Sequence, residues 1–151
     1  MTDGRACEVD ALSRALVGTW NRADWSAYRA LTAGEYCYEE TGSGRRIDDV
    51  DLVLADWRRV RSVFPDVGAE LVDVLTRGDT SVVGLVWRAT HSAPVETADG
   101  VESPSYKRIH IGDSVTLTWQ GGLLATEHHQ IGFLSVLAAI PAVMGGAGRC
   151  C

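Results

Sequence analysis

A glutamate and two histidines, Glu127, His128 and His129, follow one another within the otherwise mostly apolar segment LLATEHHQI. The segment alternates like a β-strand, in which side chains two residues apart share a face. Because Ala125 and Ile131 are apolar, we expect the face that they share with Glu127 and His129 to point inward. The Cα atoms of Glu127 and His129 would then lie about 6–7 Å apart. His128 would face solvent or a partner subunit.

A histidine beside a carboxylate can transfer a proton at neutral pH, because the ordinary imidazole pKa is near 6.5. The carboxylate orients the ring and raises its pKa, while an apolar wall raises the pKa of the carboxyl group itself. Glu127 and His129 are therefore candidates for general acid–base catalysis. The same pair could instead be a satisfied polar contact in the core, and the sequence leaves both interpretations open.

Further candidates for binding or catalysis lie on neighbouring predicted elements. His91 ends the strand TSVVGLVWRATH, whose inward face is otherwise apolar, whereas His110 lies on the polar face of YKRIHIGDSVTLTW. That polar face could meet solvent or line a polar pocket. Tyr28 and Tyr38 could donate hydrogen bonds to a developing oxyanion. Some aromatic side chains could line a wide, flat pocket or simply belong to the core, namely Trp57, Phe64, Trp87 and Phe133.

Composition excludes several classes of protein. A net charge of −6 and no basic run argue against a nucleic-acid-binding protein. The longest apolar stretch, 133–144, is interrupted by a serine and a proline and is too short to span a bilayer. The N-terminus lacks a signal-peptide pattern, so we expect a cytoplasmic protein. We expect no metal, because neither the histidines nor the four cysteines form a zinc pattern. The cysteines are Cys7, Cys37, Cys150 and Cys151.

Three helices are predicted in the first half of the chain. The first covers 8–18 and stops at Gly18, and the second covers 24–33 with Asn21 or Asp24 as its cap and Gly34 as its stop. The segment YCYEE reads as a short strand. A third helix begins at Asp48 or Asp49 and ends before a proline.

The second half of the chain changes to the two-residue period of strands. Four long strands are predicted in 68–79, 80–91, 106–119 and 123–131, with a loop over 92–105. Helices followed by a strand meander indicate an α+β fold, in which a curled antiparallel sheet with helices on one face encloses a pocket. We expect one domain over the whole chain, with a core at about 8–137 and a C-terminal tail at 141–151.

Three segments together resemble a known family. They are VGTWNRADWSAYRALTA, VRSVFPDVGAELVDVLTRGDTSVVGLVWRATHSA and EHHQIGFL. In order and spacing they resemble the SnoaL-like polyketide cyclases of the NTF2-like superfamily, over roughly residues 8–137. The resemblance implies a cone with a deep pocket, formed by a curved antiparallel or mixed sheet around the N-terminal helices. It also implies a homodimer or homotetramer packed through the sheet.

The resemblance further implies a cofactor-independent enzyme that closes a ring of a small polyketide-like molecule by aldol chemistry, in natural-product or antibiotic biosynthesis. The family places its acid–base aspartate where this chain has His129. Either His129 is the base, or Glu127 has taken this role, or the aldol chemistry is absent. His91 matches a pocket histidine of the family. Two alternatives stay open on the same fold: a cyclase or isomerase that opens an epoxide to form a cyclic ether or shifts a double bond, and a non-catalytic ligand-binding module.

Overall fold

The computed structural model describes residues 4–131 of the chain. Three helices lie among these residues: α1 (Gly4–Arg22), α2 (Trp25–Leu31) and α3 (Val50–Val63). Asp24 caps α2 and Asp49 caps α3, and each side chain accepts a hydrogen bond from a backbone N–H of the first turn. No helix in this part of the chain is long and apolar enough to cross a membrane.

Two predicted helix ends are wrong. The first helix continues beyond Gly18 by one turn, to Arg22. That turn buries Trp20, which is 1% exposed, and burying a large aromatic ring outweighs the cost of about 1 kcal/mol for a glycine within a helix. The second helix ends at Leu31, before Gly34, because Thr32 already pairs with Leu124 in the sheet.

Eight strands complete the described part of the chain. Six of them form one sheet in the order β2-β1-β8-β7-β4-β3, in which β1 and β8 are parallel and every other neighbouring pair is antiparallel. The remaining two form a small hairpin inside the segment predicted as a loop. In chain order the strands are β1 (Thr32–Glu40), β2 (Arg46–Ile47), β3 (Gly68–Arg77), β4 (Thr80–Thr90), β5 (Val95–Thr97), β6 (Gly100–Glu102), β7 (Arg108–Gln120) and β8 (Leu123–His129). The α+β prediction is confirmed, with a mixed and open sheet.

The core lies between the helices and one face of the sheet. The indole rings of Trp20, Trp57 and Trp87 come from α1, α3 and β4, and their centroids lie 5.3 to 6.0 Å apart. The inward-facing residues of β4 and β7 alternate with exposed or half-buried ones, as the two-residue period requires. Aromatic packing therefore fixes the position of the helices over the central strands.

Candidate functional site

Glu127 and His129 lie on β8, between β1 and β7 and therefore inside the sheet. Their side chains are 0% and 1% exposed, on the face covered by the helices. His129 Nε2 lies 2.6 Å from Glu127 Oε2, which is a short, charge-assisted hydrogen bond. Nearly complete burial strengthens this bond, because no water competes for either group.

Two tyrosines hold the other oxygen of the Glu127 carboxylate. Glu127 Oε1 accepts hydrogen bonds from the hydroxyls of Tyr28, on α2, and Tyr36, on β1. The two phenolic oxygens lie 2.7 Å apart. Burial, and then the negative charge of Glu127, raise the pKa of both tyrosines well above the usual value. Both hydroxyls therefore keep their hydrogens and act as donors.

Asp113, on β7, lies on the other side of the imidazole. Its Oδ2 is 3.1 Å from His129 Nδ1 and accepts a hydrogen bond of 3.2 Å from the Trp87 indole. Its Oδ1 accepts the backbone N–H groups of Ser114 and Ile131, at 2.8 and 3.2 Å. Burial alone would raise the pKa of Asp113, but the hydrogen bond and charge of His129, and then the hydrogen bonds from Trp87 and Ile131, hold the pKa below its ordinary value.

The imidazole of His129 is thus enclosed by two carboxylates. Burial favours its neutral form, but the hydrogen bonds and charges of Asp113 and Glu127 prevail and raise its pKa to about 9. The ring also packs against Tyr38, at 5.0 Å between centroids, and against Trp20, at 5.8 Å. At neutral pH, the raised pKa favours a charged His129 between the carboxyl groups of Asp113 and Glu127.

A family comparison identifies the fold to which this site belongs. The model of the SnoaL-like polyketide cyclase family matches residues 10–140, which is most of the chain. The chain belongs to this family. A sequence comparison with curated proteins found no match.

Solved structures of SnoaL-like and ketosteroid isomerase-like proteins share the fold of this family member. A candidate SnoaL-like polyketide cyclase from Jannaschia sp. CCS1 superposes with a TM-score of 0.75 at 16% identity, over 94% of this chain and 97% of its own. IdmH, a candidate polyketide cyclase from Streptomyces antibioticus, superposes with a TM-score of 0.71 at 20% identity, over 87% of this chain and 97% of its own. A candidate ketosteroid isomerase from Kribbella flavida DSM 17836 superposes with a TM-score of 0.64 at 18% identity, over 83% of this chain and 78% of its own. At these identities, the likeness shows the fold alone.

Several candidate residues from the sequence lie close to Glu127 in the structure. Tyr28 binds Glu127 directly, and Trp87 contacts His129 through Asp113. Tyr38 packs on the His129 ring, but its hydroxyl donates to Glu40, at 2.6 Å. Trp57 and Phe64 are buried in the aromatic core.

His91 lies away from this group although it is 1% exposed. Val115 of β7 pairs with His129 on one side and with Val83 of β4 on the other, so Val83 marks the level of His129 on β4. His91 follows Val83 by eight residues, which is roughly 26 Å of extended strand. Its Nδ1 accepts a hydrogen bond from the backbone N–H of Ser105, at 3.2 Å. The structure therefore does not bring His91 into contact with the Glu127–His129 pair.

His110 does not contribute to the described site either. His110 is exposed on the opposite face of the sheet, where it lines a shallow groove with Arg88 and Arg108. Phe133 lies outside the described residues, as do Cys150 and Cys151.

The sequence analysis missed Asp113 and Tyr36. Asp113 lies two and four residues before the inward residues Val115 and Leu117, so strict alternation along β7 would have placed it on the same inward face. Tyr36 precedes Tyr38 by two residues on β1 and so shares its face.

We call five residues the Glu127 cluster, namely Tyr28, Tyr36, Asp113, Glu127 and His129. Within residues 4–131, no group of three or more His, Cys, Asp or Glu side chains has an arrangement that could hold a metal ion. The chemistry that the cluster supports is proton transfer, since it joins phenols, carboxylates and an imidazole through direct hydrogen bonds.

Proposed function

We propose that the chain is a cofactor-independent cyclase in which the Glu127–His129 pair transfers a proton during intramolecular ring closure of a small polyketide-like molecule. The observation that carries the proposal is the environment of the Glu127 carboxylate. One oxygen is bound by His129, and the other by two tyrosines, at 0% exposure. Perturbed titratable groups in a buried cluster are more frequent at catalytic sites than elsewhere.

In an aldol-type closure, the pair accepts a proton from a carbon activated by neighbouring carbonyl groups. The C–H electron pair becomes an enolate, whose carbon attacks a carbonyl carbon of the same molecule and forms the new C–C bond. The resulting alkoxide then takes up the proton, so the reaction is an isomerisation without gain or loss of atoms. Tyr28 and Tyr36 keep their hydrogens because their pKa values are raised, and once Glu127 has taken up the substrate proton these hydrogens can turn from Glu127 to the enolate oxygen.

The positions of the tyrosines also support a second candidate function. A carboxylate base and phenolic acids lie within hydrogen-bond distance of each other, which is the pairing that opening an epoxide by an internal hydroxyl needs. The base would take the hydroxyl proton while the C–O bond forms, and a tyrosine would protonate the epoxide oxygen as its bond to carbon breaks. The proton on Glu127 would then pass to that tyrosine along the hydrogen bond between them, which restores the starting site.

Turnover of a synthetic probe tests the proposal. The probe is an aromatic aldehyde with a β-keto ester side chain, whose ring closure is followed by absorbance and mass spectrometry. We expect Glu127→Gln to lower turnover by roughly 10²–10⁴-fold, since the amide cannot accept the substrate proton. Glu70→Gln is the matched control, because Glu70 is exposed and pairs with Arg88 on the outer face.

The fold of both variants is checked by circular dichroism and thermal unfolding. Loss of turnover in a folded Glu127→Gln variant supports the acid–base role. Unchanged turnover, or a variant that fails to fold, would instead assign Glu127 to the structure of the core. An epoxy-alcohol probe that closes faster than the aldehyde would favour the second candidate.

A further inference from the structure

Asp113 is not used in the ring closure described above, although it lies against the residue that partners Glu127. It is 8% exposed, and it contacts the ring nitrogen of His129 that faces away from Glu127. Two carboxylates therefore approach the same imidazole from opposite sides, at 2.6 and 3.1 Å.

The partners of Asp113 identify its protonation state. Trp87 and the backbone N–H groups of Ser114 and Ile131 can only donate hydrogen bonds, and all three are directed at the carboxyl oxygens. Three such donors stabilise the ionised carboxylate. An ionised carboxylate can only accept, so the hydrogen between Asp113 and His129 must be on Nδ1.

We propose that Asp113 is a positioning residue that keeps a hydrogen on Nδ1 of His129, so that Nε2 is the ring nitrogen that exchanges a proton with Glu127. One proton then lies in the 2.6 Å contact between Nε2 and Glu127 Oε2. It is held either by the imidazolium or by the carboxylic acid, and no other proton needs to move in the pair.

Asp113 also removes two competing arrangements. A neutral imidazole with one polar neighbour could carry its hydrogen on either nitrogen, and its ring could rotate by half a turn. With Asp113 ionised, the Nδ1–H tautomer and one ring orientation are favoured. The packing of the ring against Tyr38 and Trp20 holds the ring plane, and the hydrogen bonds to Asp113 and Glu127 select the orientation within it.

Titration of His129 depends on groups from every element packed around it. Asp113 and Glu127 contact the ring directly, and both favour the charged form. The helix α1 contributes Trp20, which does not titrate. The other titratable groups make no hydrogen bond to the ring. Tyr28 and Tyr36 bind Glu127. Tyr38 packs beside the ring and binds Glu40.

Nitrogen-15 NMR of the full-length chain tests the proposal. Long-range ¹H–¹⁵N spectra of the four histidines are recorded between pH 5 and 10, with His129 assigned by elimination through His91→Gln, His110→Gln and His128→Gln. In the wild type, we expect Nδ1 of His129 to stay protonated at every pH, while only Nε2 titrates. In Asp113→Asn, the midpoint should fall by roughly 1–3 pH units, since one carboxylate is lost.

The control is Asp73→Asn, the same chemical change at an exposed position of β3, which should leave the His129 spectrum unaltered. A wild-type ring whose Nδ1 lacks its hydrogen at any pH would overturn the proposal, as would a midpoint that stays unchanged in Asp113→Asn. If Asp113→Asn does not fold, the wild-type spectrum decides alone.

The consequence for turnover rests on the proposed function, whereas the position of the proton does not. With the aldehyde probe, Asp113→Asn should lower kcat by roughly 10²-fold or more, with KM changed far less, since the substrate does not touch Asp113. A wild-type chain that shows the expected spectra but no turnover would refute the cyclase and leave the role of Asp113 intact. Turnover without the expected spectra would refute the role of Asp113 alone.

Discussion

The pH dependence of stability follows from the enclosed charge of His129. The pKa of His129 rises from an ordinary 6.5 to about 9 on folding. Because the folded pKa is raised, the stabilisation is fully present below about pH 6.5 and is lost as the pH rises through about 9. At about 1.36 kcal/mol per pH unit, the gap corresponds to roughly 3 kcal/mol of unfolding free energy.

Other groups near His129 contribute little between pH 6.5 and 9. The pKa of Asp113 is lowered on folding, so its contribution is present above the ordinary aspartate pKa and stays constant over this range. The raised pKa values of Tyr28 and Tyr36 affect stability only in more alkaline solution. The expected decline is therefore assigned to His129.

Urea unfolding followed by tryptophan fluorescence measures this decline at intervals of half a pH unit. Wild type and His110→Gln, whose substitution lies on the exposed face, should both lose roughly 3 kcal/mol between pH 6.5 and 9. His129→Gln should be less stable at pH 6.5, because two buried carboxylates lose their shared cation, and should lack the decline. An equal decline in His129→Gln and His110→Gln would refute the reasoning.

Two further predictions concern the elements that position the site. Asn21 makes a pair of hydrogen bonds with the backbone of Ala69, at 2.7 and 2.9 Å, so Asn21→Ala should lower the free energy of unfolding by about 1–3 kcal/mol in urea titrations. Asn21→Asp, which keeps the acceptor, should lose less, and an equal loss would contradict this account. Asp24 caps the helix that carries Tyr28, so Asp24→Ala should cost about 1 kcal/mol by thermal unfolding, while the capping variant Asp24→Asn should cost little; equal stability of the two variants would refute the capping role.

Short-range periodicity was sufficient to predict that Glu127 and His129, at the centre of the candidate site, share an inward face. Alternation along β8 placed Glu127 and His129 on one inward face, and the structure puts their side chains in direct contact. The helix caps at Asp24 and Asp49 were likewise local patterns, each complete within a few residues. Helix ends were predicted less well, because tertiary burial of Trp20 decided where α1 stops.

Partners that are distant in sequence could not be predicted in this way. Tyr36 and Glu127 are 91 positions apart, and they meet because β1, which carries Tyr36, pairs in parallel with β8. The distance between His91 and His129 likewise depends on the register of β4, β7 and β8, which periodicity alone does not give. The position of Asp113 along β7 indicated an inward face, but its role depends on the pairing of β7 with β8, which carries His129.

A crystal structure of the chain with a polycyclic aromatic phenol bound would test the central claim most directly. A phenol oxygen within hydrogen-bond distance of Glu127, His129 or Tyr28 is the result predicted for an acid–base site that acts on an enolate. A phenol bound elsewhere, with the Glu127 cluster retaining all its internal hydrogen bonds, would show that the cluster belongs to the core and would contradict the proposed mechanism.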